Sequence, residues 1–583
     1  MQLIFLQVDG NTEIVVVDHL AIQSSIKCEV LAKLRKLKYL QIDSIMPQGS
    51  FKSFPQNLSL LHWELPVGRT SIFPQIRRNE LHNLAILELC DWEVAKEFPE
   101  SLGNLTNLRI LSLIRLKGFN HLPENFGKLS QLKQLTLRDL GLQRLPSSFG
   151  SLLALEELIL GLDKLQCLPE SFFALRALKK LQVSSRDLDV PDSLGLLGSL
   201  SYLSINCGMW RSLPKSLGDL VQLEQLRLYI NNLEALPSTT MRQLCVLQEL
   251  TITAHVIDLL PENIGQLSSL QKLYIDCRSL EKLPDSFTSL HALEDLTIWA
   301  KDLKMLPENL GDLALIKSFS IMSKKLRSLP AKMGHWSLIQ RLSIDCENME
   351  TVPESLGDLS SLEFFDLIAH RLVSLPESIG QLRALWSFKI RSERLKNLPA
   401  SVWQLSALRN LEIECEMLET LPDSLGDILE DLPSSVGNLS KLKRLTIHCN
   451  LIQTLPNSIG RLSSLSRLEI SGSDLVSLPE TTGQLSSLRE LHVEAPKIRN
   501  LPSNLGQLSA LCELDLRCEG LEKLPDTVLN ISSLNRLSII QENSLTSVQE
   551  QRLASLGWVL VRRRTTFQPK LYTWYTVLQY RRT

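Results

Sequence analysis

No window of the sequence holds about 18 consecutive apolar residues, so a membrane-spanning helix is not expected. The start, MQLIFLQVDG, lacks basic residues and meets Asp9 before an apolar core is complete, so a secretory signal is not expected either. Neither sign of charge dominates: 62 Lys+Arg stand against 64 Asp+Glu in 583 residues. No global field therefore draws the chain to nucleic acid, and 44% hydrophobic residues argue against disorder. The eleven cysteines include no C-x-x-C pair, which fits reduced thiols in the cytosol or nucleus better than a disulfide framework. Missing too are G-x-x-x-x-G-K-[ST], H-E-x-x-H and G-x-S-x-G; Gly127-Lys128 is followed by Leu129, and the ten histidines are scattered. These absences predict a chain that is not an enzyme, with no catalytic residue, cofactor, metal or small-molecule substrate.

What is present is a repeat. A Leu-Pro step, or Phe-Pro or Val-Pro in its place, puts proline at 99, 123, 146, 169, 191, 214, 237, 261, 284, 307, 330, 353, 376, 399 and 422, then at 433, 456, 479, 502 and 525. The usual spacing is 23, and the intervening text reads L-x-x-L-x-[LI]-x-x-x-x-L-x-x-L-P-x-x-[LIF]-G-x-L, as at Leu223, Leu226, Leu228, Leu233 and Leu236. On these residues the chain is identified as a leucine-rich-repeat protein. The expected fold is an α/β leucine-rich-repeat solenoid, a curved horseshoe or ribbon with a parallel sheet on its concave face and short helices and turns on its convex face. Domain expectations are an N-terminal cap or remnant of a preceding domain at 1–33, a solenoid of about 21 coils at 34–545, and a C-terminal cap with a basic, aromatic tail at 546–583. The sequons at Asn57, Asn104, Asn438 and Asn530 read as by-products of the repeat.

Within a coil, alternation puts Leu132, Leu135 and Leu137 inward from one short strand. Proline suits the first position of a short helix, and the recurring glycine (Gly103, Gly127, Gly150, Gly357, Gly380, Gly460) suits a tight turn. The usual ladder asparagine is present only at Asn231 and Asn450; Asp163, Arg278, Lys301, Lys324, Glu347, Glu393, Glu416 or Pro496 replaces it elsewhere, which predicts irregular bends.

A longer period overlies the short one. Cysteine recurs at Cys207, Cys277, Cys346, Cys415, Cys449 and Cys518, at intervals of 70, 69, 69, 34 and 69. Three coils of 23 make 69, so the chain reads as three-coil units, with 69−34 = 35 residues wanting between Gly426 and Leu432. A fault in the sheet is expected at 423–433, from either a genuine short coil or a recombination or exon-boundary artefact. Successive cysteines would lie about 14 Å apart, too far for shared zinc ligation, so the row reads as small buried hydrophobes.

Function in such a scaffold belongs to the outward strand positions. These present Tyr202, Tyr229, Tyr274, Trp299 and Phe364, with Trp386 at the flank, then a charged stretch that includes Asp345, Lys389, Arg391, Glu412, Glu414 and His448. Exposed aromatics beside arginine are the residue types of binding hot spots, and the partner expected on this face is a protein. Residues 551–583 hold seven basic residues and no acidic one among six aromatics. That composition suits nucleic acid or a membrane surface; edge strands capping the last coil, or an appended tail, are expected instead.

The order F-P-x-N-L-x-x-L-x-W at 54–63, then Leu-Pro, F-P and E-L-x-N-L-x-x-L-x-L at 80–89, resembles the first repeats of plant intracellular nucleotide-binding leucine-rich-repeat resistance proteins of the TIR class. Trp63 fills an inward leucine slot, which makes it a packing residue. The resemblance implies recognition of a pathogen effector, in the cytoplasm or nucleus, in a defence response. Neither the TIR domain nor the nucleotide-binding switch of that family is encoded here, leaving two expectations: a truncated or mis-started product, or a free sensor, decoy or scaffold. The repeats are also similar to Ras-group intracellular leucine-rich-repeat scaffolds, which implies binding of GTPases or phosphatases.

Overall fold

The structure is a computed structural model. It describes residues 13–17, 26–27, 31, 33–43, 47–48, 55–65, 81–91, 100–118, 120–189, 191–208, 210–421, 439–541, 551, 554–555, 558–568 and 573–582. Two compact units divide the chain, Met1–Ser279 and Leu280–Thr583.

In the first unit twelve strands, from Ile14–Val17 to Lys272–Asp276, lie parallel in chain order. Register follows the inward residues: Leu203 pairs with Leu226, Leu226 with Leu250 and Leu250 with Leu273. The second unit repeats the arrangement with eleven parallel strands, Asp295–Trp299 to Arg536–Gln541. Its last strand pairs antiparallel with Thr573–Arg582, which pairs antiparallel with Trp558–Gln568. A hairpin thus takes up the hydrogen-bonding edge of Arg536–Gln541, an edge that would otherwise be open to another chain.

Each coil seals its leucines against its neighbours. Leu223, Leu226, Leu228, Ile230, Leu233 and Leu236 are all buried, each contributing about 1.5–3 kcal/mol on transfer from water. Aromatic side chains stack from coil to coil: on the return legs of the first unit Phe126 on Phe149 at 6.0 Å and Phe149 on Phe172 at 5.8 Å, and on strands of the second Phe365 on Phe388 at 5.3 Å between ring centroids. Trp63 is fully buried, as its place in the repeat requires.

Most return legs are single turns of 3-10 helix, with short α-helices at Ser238–Gln243 and Asp526–Leu529. Proline does not occupy the first helical position expected for it. Pro123 is the residue before the helix, extended at φ −69 and ψ 150, and its carbonyl accepts the first bond, from the Phe126 N–H at 3.0 Å. Its missing N–H costs nothing there, because the residue ahead of a helix has no intrahelical donor role.

The glycine four residues later also has a different reason from the tight turn expected. None of the recurring glycines takes a positive φ; among described glycines only Gly118 does, at 88. A Cβ on Gly380 would instead lie 2.6 Å from the Ser401 carbonyl oxygen of the next coil, so glycine permits close helix-to-helix approach.

Bends after the strands differ along the chain: the residue after the strand takes a positive φ at Asp91, Arg115 and Asp139, at 60, 53 and 55, and not in the later described coils. Asn231 and Asn450 are exposed and form no ladder. The bend is sealed one residue earlier by a buried small side chain, Ala300, Ser323 and Cys346, then Ala369, Ser392 and Cys415. The 69-residue period is therefore a cycle of three bend residues. Cys277, Cys346 and Cys518 are packed here, and burial pushes each thiol up to about 12; they are hydrophobic filling.

The expected fault at 423–433 lies outside the described residues. On either side of it Asn410–Cys415 and Arg444–His448 pair directly in parallel, Leu411 with Leu445, a step of 34 residues. The first half of the 54–89 resemblance is described only from Pro55 to Leu65, and its second from Leu81 onward.

Candidate partner-binding face

Alternate residues of each strand point away from the core, so register builds three outward rows. In the second unit the first row contains Arg341, Phe364, Ser387, Asn410 and Arg444; the middle row contains Ser343, Asp366, Lys389, Glu412 and Thr446; the third contains Asp345, Ile368, Arg391, Glu414 and His448. Trp386 precedes its strand and lies against Phe364, ring centroids 4.2 Å apart and planes at 63°. The Arg341 guanidinium stands 5.2 Å from the Phe364 ring centroid. Edge-on ring pairing and a cation over the face hold this aromatic group in one arrangement.

Beside it lies Asp366, one of whose carboxylate oxygens is shielded from solvent without a hydrogen-bond partner. Burial pushes this carboxyl up, Lys389 opposing. The residues expected to form a charged stretch are brought together as ion pairs: Lys389 with Glu412, Arg391 with Glu414, and Lys389 with Glu414 at 3.2 Å. Glu412 and Glu414 share hydrogen bonding, and their carboxyls move apart. Burial pushes Glu412 up. Burial also acts to raise Glu414, but hydrogen bonds from Glu412, Arg391 and Lys389 outweigh it and hold this carboxyl at about 2. His448 faces Glu469 at 3.6 Å. Asp345 has no ion pair among the described residues.

Small side chains at Asn410 and Thr446, between the longer Lys389, Glu412 and Arg467, leave a depression of about 520 Å³ over these strands. A second, of about 380 Å³, adjoins it beyond Glu414 and His448. Arg444 lines the first and has no ion-pair partner among the described residues. Sequence reading passed over Arg341 and Arg444. The signal that finds them is residue pairing at the repeat interval, because positions 23 apart touch: Glu249 with Lys272 at 2.8 Å, Glu294 with Lys317 at 2.7 Å, Lys324 with Glu347 at 2.6 Å.

Trp299, 40% exposed, lies on the third row of the same unit. The three tyrosines belong to the first unit. Tyr202 is flanked by Lys180 and Arg227 at 5.6 and 5.5 Å from its ring centroid. Tyr229 is 37% exposed. Tyr274 is half-buried, and desolvation pushes its phenol up to about 12. The predicted residues are thus outward, in two groups on two units.

A family model described as a leucine-rich repeat region matches residues 116–255. No match was found among curated proteins. Among solved structures, a leucine-rich-repeat protein of Leptospira interrogans is similar over 78% of this chain and 96% of its own, at 23% identity and a TM-score of 0.53. The plant peptide hormone receptor RGFR1, solved in complex with RGF2, is similar over 84% of this chain and 79% of its own, at 21% identity and a TM-score of 0.50. A TDR receptor follows over 89% and 83%, at 19% identity and a TM-score of 0.51. These likenesses carry the fold, a leucine-rich-repeat solenoid. Among the described residues no helix is long and apolar enough to cross a membrane.

Proposed function

We propose that the chain is a non-enzymatic protein-binding module whose recognition surface is the outward face of the second unit, centred on Phe364 and Trp386. The observation that carries this reading is the pairing of those two rings, with Arg341 over one of them, next to the unpartnered oxygen of Asp366. An aromatic anchor, a polar group ready for a donor and a depression beside them make the kind of preorganised centre around which hot spots form. Lys389, Arg391, Glu412 and Glu414 already satisfy one another, so they contribute orientation and partner choice more than affinity. Asp345, Trp299 and His448 flank the centre; Tyr202, Tyr229 and Tyr274 offer a second aromatic group on the first unit.

The finer reading is the recognition region of a plant intracellular immune receptor, working in the cytoplasm or nucleus, with a pathogen effector as partner. The resemblance at 54–89, including buried Trp63, supports it. A Ras-group scaffold is the second reading, supported by the regular 23-residue L-P-x-x-[LI] spacing. Pairwise binding of the purified chain to a panel of pathogen effectors and a panel of Ras-type GTPases and phosphatases separates them. Effector binding that is lost in Phe364→Ala/Trp386→Ala supports the first reading. GTPase or phosphatase binding moves the assignment to the scaffold, and binding indifferent to the double variant removes this face from consideration.

A further inference from the structure

Three strands near the start of the first unit assemble a group of side chains that the binding face does not use. Tyr39–Asp43, Leu60–Glu64 and Ile86–Cys90 are consecutive and parallel, with Asp43 opposite Glu64, Gln41 opposite His62 and His62 opposite Glu88. All five side chains are on outward positions. The Nδ1 of His62 is 2.8 Å from a Glu88 carboxylate oxygen. A carboxylate at that distance anchors the Nδ1 side of the ring and turns Nε2 toward the neighbouring strand. Nε2 points at the Asp43 Oδ1, 3.6 Å away, too long for a hydrogen bond. That oxygen is shielded from solvent and has no hydrogen-bond partner, so a ring nitrogen and a carboxylate oxygen face each other across a gap that an ion bound by both would fill.

The supporting contacts tighten the arrangement. The Gln41 amide donates to the other Asp43 oxygen at 2.9 Å, and the Tyr39 hydroxyl donates to the Gln41 carbonyl oxygen at 2.9 Å. Asp43, His62 and Glu64 each offer one ligand atom, and the three atoms lie within 4.8 Å of one another. Among the described residues no lysine or arginine forms an ion pair with Asp43, Glu64 or Glu88; Arg115, which acts on Glu64 through space, is itself paired with Asp91.

We propose that Asp43, His62 and Glu64 bind one divalent transition-metal ion, with zinc the ion best suited to one imidazole nitrogen and two carboxylate oxygens. Such ligands bind zinc at about 2.0–2.2 Å, and three of them leave a coordination position for water. Imidazole disfavours magnesium and calcium, which take oxygen ligands. Glu88 is the outer carboxylate that orients the histidine.

The test uses the full chain, stripped of metal with a chelator and titrated with zinc chloride against a chromophoric competitor near neutral pH. One zinc per chain is expected. His62→Ala and Asp43→Asn should each weaken binding by about 100-fold or more, and Glu88→Gln by about 10- to 100-fold. His370→Ala, which removes the partner of Glu393 in the second unit, should leave binding unchanged. Circular dichroism without zinc checks that each variant is folded, and Glu64→Gln serves if one of the others is not. Zinc should also raise the thermal midpoint of the parent chain but not of the His62 variant. Failure of the parent to take up a stoichiometric ion overturns the proposal, as does uptake retained in His62→Ala and Asp43→Asn. A protonated His62 bridging Asp43 and Glu88 gives the first of those results.

Discussion

The hydroxyl of Ser392 donates to the carbonyl of Leu372, one coil earlier, at 3.1 Å, and accepts from the N–H groups of Arg394 and Leu395 at 3.2 Å each. Ser323 does the same with Leu303, Lys325 and Leu326, at 2.8, 3.1 and 3.2 Å. Both serines are buried. In these two coils, which lack the usual ladder asparagine, a serine one residue earlier closes the bend. Removing the hydroxyl strands backbone groups in a dry layer, so Ser392→Ala and Ser323→Ala should each destabilise by about 1–3 kcal/mol. Denaturant unfolding measures it, and a midpoint equal to the parent's would show that water replaces the hydroxyl.

Gly380 tests the spacing of the return legs. A methyl group there would meet the Ser401 carbonyl oxygen at 2.6 Å, and the oxygen belongs to the helical turn Ala400–Gln404, which packs against Glu377–Gln381. Gly380→Ala should therefore cost about 1–3 kcal/mol through overpacking. Gly198, whose Cβ would meet nothing within 4 Å, supplies the control: Gly198→Ala should leave the denaturant midpoint within about 0.5 kcal/mol of the parent.

These positions show what the sequence made legible. The 23-residue spacing determines strand, register and core, because leucines at fixed intervals must meet the same leucines in the next coil. The cysteine period likewise marked the three-coil cycle. Proline and glycine were recognised, but their reasons were not: Pro123 acts through a carbonyl contact, and Gly380 through a neighbour 21 residues away, neither of which local spacing reveals. Phe364 and Trp386 were both identifiable as outward residues, whereas their contact depends on the angle at which Trp386 leaves the preceding turn. His62 and Asp43 are 19 residues apart, off the repeat interval, so no periodicity points to their meeting.

Cysteine reactivity should divide by burial. Cys167 and Cys245 are exposed, while Cys207, Cys277, Cys346, Cys449 and Cys518 are buried, with thiols that burial pushes up to about 12. The thiolate is the reactive form. An aromatic disulfide reagent on the native chain, followed by peptide mapping, should label Cys167 and Cys245 before any of these five, which it reaches only on unfolding, as it does the likewise buried Cys90 and Cys415. Early labelling of Cys346 would contradict the packed bend.

Acid stability should register the pair Glu412 and Glu414. The folded state holds Glu414 at about 2, below its ordinary range near 4.3 in an unfolded chain. A lowered carboxyl stabilises above the unfolded value and loses that contribution as pH falls toward the folded one. The parent's advantage over Glu414→Gln should thus be full at neutral pH, shrink below about pH 4.5 and vanish near pH 2. Thermal midpoints across that range provide the measurement; a constant gap would mean that Arg391 and Lys389 do not favour the ionised form.

The aromatic centre must separate binding from folding. Phe364 and Trp386 are half-buried outward side chains, whereas the adjacent Phe365 and Phe388 are inward and stacked at 5.3 Å. Phe364→Ala/Trp386→Ala should leave a folded solenoid, with a loss of about 1–2 kcal/mol from the broken ring pair and its buried edges, yet weaken partner binding by at least about 2 kcal/mol, some 30-fold. Phe365→Ala should do the reverse: it opens a core cavity at about 3–5 kcal/mol while any chain that remains folded still binds. Surface plasmon resonance on the partner, beside denaturant unfolding of both variants, distinguishes these outcomes. If the outward double variant binds as tightly as the parent, recognition lies elsewhere, and the tyrosine group around Tyr202 and Tyr229 on the first unit becomes the next surface to mutate.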